Sequence, residues 1–463
     1  MLNRARPFLD MASVISLLAS GNWKDSTLVE KMQNKFANTI GAPHALAINQ
    51  GRSALLIALK SLKIGNGDEV IVQSLICQAV IDSILEVGAR VVLVDSMPDD
   101  YQVSPDEIKR KITSKTKAVI AAHLYGIPCQ IKEILDITIQ NGCYLIEDCA
   151  HSLGAQYDGK QVGTYGDMAY FSFNFDKPLS IGNGGMLIVN NAALMDNVEE
   201  VLEQYERTDL QEEKSITYGF MLQHLLTETD VYSQFLPTTF GESLIRSNPL
   251  LFSIFDNALE SHLSEPELRK QILNYLEVNE VFSQEAYQSL FHRLFSKLKA
   301  TSKKFYRLSL PQTPKIDRVD LLMNSLRAQV CLEQLNYQSQ VSQVRNRNAA
   351  FLTEMLNKDL YRLPKMRDGT SSAFLRYTVL NQTGLSVSEI SKMAQEKGFE
   401  ISNYNWPKTV HLISPYHRIL RYDRDSLKNS ERIASQLLNL PVHYYVRENE
   451  LESLTTVLNN FKR

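Results

Sequence analysis

Apolar runs of strand length alternate with segments of helical periodicity from about residue 25 to about residue 200. Parallel strands need long crossover connections, so this alternation is typical of a mainly parallel sheet with helices on both faces. The predicted fold class is therefore α/β. Asp158-Gly159 predicts a tight hairpin turn. The predicted strands are 69–73, 91–95, 118–123, 144–148, 167–173 and 185–190, and the predicted crossover helices include 77–87 and 104–112.

We predict three parts along the chain. Residues 1–197 carry the alternating pattern and form a large domain. In residues 198–310 glycine becomes rare while Leu, Glu, Gln, Phe and Tyr recur at helical spacing, which predicts a helical insertion. Residues 311–463 begin with a long helix from Leu321 and continue as a smaller C-terminal α/β domain.

The charge balance argues against one class of partner. The 49 Lys and Arg residues are matched by 52 Asp and Glu residues, for a formal net charge of −3. No overall basic field exists to concentrate a polyanion, so nucleic acid is not an expected partner. The five cysteines are odd in number and irregularly spaced, as is typical of reduced core residues in a cytosolic protein.

The N-terminal residues do not resemble a targeting segment. They lack an apolar stretch followed by a small-residue cleavage site. No window of the sequence is apolar over the length that spans a bilayer. We therefore expect a cytoplasmic protein with no membrane span.

The first candidate site is the start of an apolar helix at Gly51, which follows a strand end. A helix N-terminus has free backbone N–H groups and the positive end of the helix dipole, so a phosphate can bind there. Gly51 permits close approach, Arg52 adds charge and Ser53 offers a hydroxyl. The alternative is an ordinary helix N-cap with no ligand.

The second candidate is the carboxyl end of the predicted strand 144–148, where open α/β sheets bind their ligands. Asp148 at this end can pair with a cationic group, and His151 can stack on or bond to the same ligand. The alternative is an Asp that caps the next turn and a His on the surface.

The third candidate is Lys177, which stands between an aromatic strand end and a glycine-rich turn. An aromatic, partly dry setting disfavours the ammonium form, and Schiff-base chemistry requires the neutral amine. The alternative is a solvated lysine in a loop. The Gly182–Gly185 run is not a dinucleotide fingerprint, because a strand rather than a helix follows it.

The order of these three elements resembles the DegT/DnrJ/StrS family of sugar aminotransferases, within the fold type I pyridoxal-phosphate enzymes. The resemblance covers nearly the whole chain apart from the helical insertion. It implies a mainly parallel seven-stranded sheet in the large domain. The segments that carry it are 67–72, 123–126, 147–155, 162–167, 171–185 and 438–443.

The resemblance also implies roles for single residues. Lys177 would form the internal aldimine with pyridoxal 5′-phosphate and move the proton between substrate and cofactor. Asp148 would pair with the pyridine nitrogen and keep it protonated. His151 would pack by the ring. Cys77 stands where many members place an aromatic ring over the cofactor.

The implied phosphate site departs from the family in part. Ser172 and the turn 51–53 match positions that hold the phosphate, although Arg52 replaces the usual Thr. In relatives, an Asn just before the long helix reaches the phosphate of the partner subunit, and an Arg follows it. These two positions are Asp320 and Leu322 here, and an Asp would repel a phosphate.

The implied reaction has two half-reactions. An amino donor, typically glutamate, gives its amino group to the cofactor, which passes it to a keto group of a nucleotide-linked sugar. Tyr404 and His411 match a segment near the substrate, although the residues between them differ from the family pattern. A homodimer is implied, because family active sites are built from two chains.

Two other hypotheses remain beside the catalytic one. The changes at Asp320 and Leu322 motivate a non-catalytic or regulatory member that acts through a protein partner, with the insertion as a docking surface. A sugar dehydratase of the same family normally has His in place of the lysine, so Lys177 argues against it. The sequence does not specify the sugar, the nucleotide or the aminated carbon.

Overall fold

The computed structural model describes residues 6–227, 244–246, 248–278, 321–402 and 408–461. Within these ranges the strands in chain order are β1 His44–Ile48, β2 Glu69–Gln73, β3 Arg90–Val94, β4 Thr116–Ala122, β5 Tyr144–Asp148, β6 Gln156–Tyr157, β7 Lys160–Gln161, β8 Met168–Ser172, β9 Gly185–Val189, β10 Glu206–Arg207, β11 Leu321–Leu322, β12 Tyr361–Arg362, β13 Thr370–Ser371, β14 Tyr377–Asn381 and β15 Leu437–Leu440. All six predicted strands are present, with ends that differ from the prediction by at most two residues.

The main sheet confirms the α/β prediction, and the described residues give it nine strands, two more than expected. Its order is β10-β11-β1-β9-β8-β5-β4-β2-β3. Strands β3, β2, β4, β5 and β8 run parallel, and β9 runs antiparallel to its neighbours β8 and β1. The additional strands β10 and β11 are two residues each and lie at one edge. Pieces this short have no periodicity for a sequence pattern to detect.

Helices cover both faces of this sheet. Those of the described residues are α1 Met11–Ala19, α2 Leu28–Ile40, α3 Gly51–Ser61, α4 Gln78–Glu86, α5 Pro105–Lys111, α6 Ile131–Asn141, α7 Met195–Leu202, α8 Leu210–Leu226, α9 Pro249–Glu260, α10 Glu265–Val278, α11 Ser325–Asn336, α12 Gln338–Met355, α13 Val387–Glu396, α14 Tyr416–Ile419, α15 Lys428–Gln436 and α16 Glu448–Asn459. No helix in this described part of the chain is long and apolar enough to cross a membrane.

The predicted long helix from Leu321 begins later than expected. Leu321 and Leu322 form strand β11, and Leu322 pairs with Ile48 of β1. Helix α11 starts at Ser325, whose backbone N–H donates to the Asn324 side chain at 2.7 Å. The two leucines fit a helical pattern, but pairing with a strand almost three hundred residues earlier determines their conformation.

The two faces of the sheet have different coverings. On one face, side chains of β2, β4 and α3 form a continuous apolar core with the C-terminal strands β14 and β15 and helices α15 and α16. On the other face, α8, α9 and α10 from the predicted insertion pack with α1, α2 and α11. The predicted boundaries at residues 197 and 310 stay a prediction.

The predicted hairpin at Asp158-Gly159 is present. Strands β6 and β7 pair antiparallel on either side of it, and both turn residues have positive φ, 45° and 74°. Strand β13 of the C-terminal part extends this small sheet by pairing with β6. The hairpin therefore joins distant parts of the chain.

Candidate active site

A cavity of about 430 Å³ opens at the carboxyl ends of the parallel strands and the start of α3. Seven of the residues predicted from the sequence line it, namely Gly51, Arg52, Cys77, Asp148, His151, Ser172 and Lys177. Several other lining residues were not predicted as site residues, among them Gln50, His123, Tyr170, Asn174, Asp176 and Asn183. The three sequence motifs around Gly51, Asp148 and Lys177 therefore converge on one cavity.

One end of the cavity is a close contact between α3 and β8. A Cβ added at Gly51 would lie 2.9 Å from the Cβ of Ser172, so only glycine fits there without a shift. A Cβ at Gly185 of β9 would similarly lie 2.6 Å from the backbone nitrogen of Gly51. The helix N-terminus therefore lies directly against the ends of two strands.

The side chains after Gly51 differ in their orientation. Arg52 lines the cavity, and its Nε is buried with no hydrogen-bond partner among the described residues. Ser53 does not line the cavity, and its side chain is fully buried. The Ser53 hydroxyl has no hydrogen-bond partner among the described residues, and its contact with a ligand stays a prediction.

Asp148 ends strand β5 and faces the cavity. Its Oδ1 accepts a hydrogen bond of 3.0 Å from the backbone N–H of Ala150. Burial raises the pKa of this carboxyl above its ordinary value, although the charge of Lys177 acts in the opposite direction. A cationic partner at the open side of Asp148 would offset the cost of burying its charge.

Glu147, the residue before Asp148, has a structural role instead. It accepts hydrogen bonds from the backbone N–H groups of Gly163, Tyr165 and Gly166 at 2.7–2.8 Å. His123 Nε2 lies 3.1 Å from its Oε2, and both side chains are fully buried. Burial opposes ionisation of Glu147, but the His123 contact and these N–H groups outweigh it and lower the pKa. Glu147 thus fixes the loop behind Asp148.

Lys177 projects into the cavity beside a carboxylate. Its Nζ lies 3.2 Å from Asp176 Oδ1, and the two side chains are 14% and 10% exposed. The other carboxylate oxygen, Oδ2, accepts a hydrogen bond of 3.0 Å from Arg376 Nη2. Burial opposes ionisation of Asp176, but the charges of Lys177 and Arg376 outweigh it and lower the pKa. Asp176 is therefore ionised at neutral pH.

His151 is neutral in this surrounding. Burial, together with the charge of Lys177, lowers its pKa well below the ordinary value. Its Nδ1 accepts a hydrogen bond of 3.2 Å from the backbone N–H of Tyr125, so the ring proton lies on Nε2. The Tyr125 ring stacks on the imidazole at a centroid distance of 6.0 Å. The imidazole therefore has a fixed tautomer and a flat apolar face.

Cys77 differs from the other cysteines. All five are free, and four are buried, whereas Cys77 is exposed. It precedes α4 as the N-cap residue and lines the cavity. The description of the cysteines as core residues therefore fits four of them, and Cys77 is a wall residue of the site.

Of the two predicted substrate residues, His411 is among those that the structure describes. His411 does not line it: the side chain is fully buried, and Nε2 lies 2.9 Å from Glu431 Oε1. The Tyr422 ring is 4.5 Å from the imidazole, centroid to centroid. The role of His411 as a substrate contact stays a prediction. Tyr404 and Asp320 lie outside the described residues.

Arg327 of α11 links helix α8 to two segments beside the cavity. Its guanidinium forms a bidentate, fully buried ion pair with Glu213 of α8, with an Nη2–Oε1 distance of 2.6 Å. The same guanidinium donates to Asn49 Oδ1 at 2.6 Å and to the carbonyl of Asn183 at 3.0 Å. Asn183 lines the cavity, and Asn49 lies two residues before Gly51. Helix α8 is therefore linked through Arg327 to two segments at the cavity, one with Asn49 and one with Asn183.

A sequence profile of the DegT/DnrJ/EryC1/StrS aminotransferase family matches residues 9–222 and 269–459. The chain belongs to this family. The profile leaves residues 223–268 unmatched, and they fall inside the predicted insertion. The family prediction is thereby confirmed.

Similar proteins have been named for sugar amination. The chain is 41% identical over 168 residues to GDP-perosamine synthase of Escherichia coli O157:H7. The aligned stretch covers 36% of this chain and 46% of that protein. The match thus spans less than half of the relative's length. A DegT DnrJ EryC1 StrS aminotransferase from Brucella abortus has the same fold, with a TM-score of 0.67 at 22% identity over 97% of this chain and 95% of that one.

A second similar structure is of a form named for a cofactor. It is the PLP-form of the sugar aminotransferase Spr1654 of Streptococcus pneumoniae, described as putative, with a TM-score of 0.68 at 17% identity. The similarity covers 99% of both chains. At this identity the comparison supports the fold.

Proposed function

We propose that this protein is a pyridoxal-phosphate-dependent aminotransferase that moves an amino group from a donor such as glutamate to a keto group of a nucleotide-linked sugar. The observation that carries this proposal is the convergence of Lys177, Asp148 and the Gly51–Ser172 contact on one cavity. The relative named GDP-perosamine synthase supports a nucleotide-linked acceptor.

The described residues fit this cofactor. An anionic phosphate suits the start of α3, where Gly51 keeps the wall open and the Arg52 Nε has no protein partner among the described residues. A cationic ring nitrogen suits Asp148, whose burial otherwise disfavours its charge. Lys177 supplies the amine. These groups lie around the same cavity, so one ligand can contact all of them.

Each side chain has a distinct task in the proposed reaction. When bound, the cofactor supplies an electron-withdrawing ring next to the reacting nitrogen. Asp148 holds a proton on the ring nitrogen. Lys177 carries the proton to and from the substrate carbon. His151, neutral and fixed by Tyr125, packs beside the ring without adding charge.

The proposal includes a homodimer in the cytoplasm. The catalytic hypothesis is favoured over the non-catalytic, regulatory one, because Lys177 lies in the cavity with Asp148 and Arg52. A protein that had lost catalysis would have no need to keep these charged groups partly buried around an open space.

The first test is an absorbance titration with pyridoxal phosphate. We expect a visible band in the native protein and none in Lys177→Ala, with loss of the band when glutamate is added. The control is Lys111→Ala, because Lys111 is a half-buried lysine that does not line the cavity. A band that survives Lys177→Ala, or disappears in Lys111→Ala, would contradict the proposal.

A further inference from the structure

A carboxylate lies against the reacting amine, and none of the roles above uses it. Asp176 directly precedes Lys177, and its Oδ1 is 3.2 Å from the Lys177 Nζ. Its other oxygen is held by Arg376, 200 residues later, at the start of β14. Arg376 is 3% exposed, so this contact is shielded from solvent. The C-terminal part of the chain therefore fixes the group that faces the lysine nitrogen.

We propose that Asp176 is the counter-ion of the Lys177 nitrogen, and that Arg376 positions it for this role. In this role Asp176 holds positive charge on the nitrogen both in the free lysine and after the nitrogen has bonded to the cofactor. The inference rests on the proposed function, since it concerns the same lysine.

The charges around Asp176 explain why a counter-ion is needed. Arg376 faces it from the start of β14, and Arg345 of α12 lies behind and donates to the carbonyls of Phe374 and Leu375. Burial and the charge of Arg376 lower the pKa of Arg345 to about 10. Lys177 thus shares a buried region with two guanidinium groups. Without the carboxylate, a third cation there would be strongly disfavoured.

Other titratable groups face the lysine from the remaining walls. Asp148 at the end of β5 attracts its charge, and Cys77 before α4 is close enough for Lys177 to influence its pKa. His151 is neutral, since burial and the Lys177 charge lower its pKa. When a cationic ring nitrogen pairs with Asp148, that carboxylate no longer serves as a partner for Lys177. Asp176 then remains as the carboxylate in contact with Lys177.

Asp176 acts as a counter-ion rather than as a base. The charges of Lys177 and Arg376 lower its pKa, so it does not take the proton that the lysine must lose. The ammonium must first give one proton to solvent; the neutral nitrogen can then bond to an aldehyde carbon, whose oxygen leaves as water, and the protonated linkage takes one proton back from solvent. The carboxylate therefore slows this capture at neutral pH, and afterwards it favours the protonated form of the new carbon–nitrogen bond.

The experiment is a pH titration of the visible absorbance of the loaded protein. We expect Asp176→Asn to lower the pKa of the lysine–cofactor linkage by about 1–3 units, the usual effect of removing an opposite charge at this distance. The matched control is Asp82→Asn, which removes a half-buried carboxylate that acts on Arg52 and Tyr416 instead. An unchanged pKa in Asp176→Asn would overturn the inference.

Arg376→Met provides a test of opposite sign. This substitution removes the positive charge that competes with Lys177 for the Asp176 carboxylate. The pKa of the lysine–cofactor linkage should therefore rise. A merely structural role would not give opposite shifts in the two variants. If Asp176→Asn gives no visible band, the pKa shift in Arg376→Met becomes the test. An unchanged pKa in Arg376→Met then overturns the inference.

The cofactor-free protein supplies an independent readout. Capture of pyridoxal phosphate requires the neutral amine, so its pH profile should move to lower pH in Asp176→Asn and to higher pH in Arg376→Met. Failure of the proposed function is distinguishable, because the native protein would then show no lysine-dependent band at all.

Discussion

The contact between Gly51 and Ser172 shows how a single residue type shapes the cavity. A methyl group at Gly51 would meet the Ser172 Cβ at 2.9 Å, closer than packed carbon atoms approach. The helix N-terminus would have to move away from the strand end. Since the proposed phosphate site consists of backbone N–H groups at this place, a displacement changes the ligand geometry more than the fold.

We expect Gly51→Ala to weaken binding of pyridoxal phosphate about tenfold or more. Overpacking costs about 1–3 kcal/mol, and about 1.4 kcal/mol corresponds to tenfold in the dissociation constant. The measurement is a titration of cofactor absorbance. Gly65→Ala is the matched control, because its Cβ would meet the carbonyl oxygen of Val87 at an ordinary 3.6 Å. Equal affinities for the two variants would show that the contact does not shape the site.

Much of the site could be predicted at this scale, because its parts lie in short motifs. Asp148, Ser172 and Lys177 each stand next to a recognisable strand end, and parallel strands bring their carboxyl ends together. Asp176 could have been found as the neighbour of Lys177. Arg376 had no local signal, because its role depends on a contact across 200 residues.

At the scale of elements, helix α8 is attached to the rear of the site by one buried ion pair. Glu213 of α8 and Arg327 of α11 are both fully buried, and the Thr208 hydroxyl also bonds to this carboxylate. A buried pair of this kind is costly to break, since the remaining charge has no partner. Helix α8 is thus a supporting element of the cavity.

Glu213→Ala should lower the free energy of unfolding by about 3–5 kcal/mol, because Arg327 would be left buried and unpaired. The control is Glu212→Ala on the same helix, which removes an ion pair to Arg246, whose side chain is 33% exposed. That pair contributes up to about 1 kcal/mol. Denaturant unfolding measures both, and similar losses would show that the buried pair is not special.

The boundaries of elements show where sequence patterns are insufficient. The interior strands were predicted closely, because their apolar runs are continuous and bounded by turn residues. The start of α11 was misplaced by four residues, because Leu321 and Leu322 join the sheet edge instead. Such two-residue strands depend on a distant partner, and no local pattern reports it.

At the scale of the whole molecule, the C-terminal part shares its core with the large sheet. Leu438 of β15 is fully buried in the same apolar cluster as Val70 and Val72 of β2. A shared core of this kind couples the two parts energetically, since neither can expose its apolar face without affecting the other. We therefore expect both parts to unfold together.

Leu438→Ala tests this coupling. It should cost about 2–5 kcal/mol and lower the denaturant midpoint of cofactor release and of far-ultraviolet circular dichroism alike. The control is Leu412→Ala, a residue of the same part that is 41% exposed and should shift neither midpoint appreciably. If cofactor release kept its original midpoint in Leu438→Ala, the C-terminal part would be an independent unit.

The Arg327 contacts also have a consequence for synthesis of the chain. Asn49 and Glu213 are translated well before Arg327, and 114 residues separate Glu213 from it. At about 5–20 residues per second, this interval lasts about 6–23 s. During that time the nascent chain carries a carboxylate that is destined for the interior but has no cation to pair with. The cofactor pocket therefore cannot be completed on the ribosome until Arg327 has emerged, however early its lysine was made.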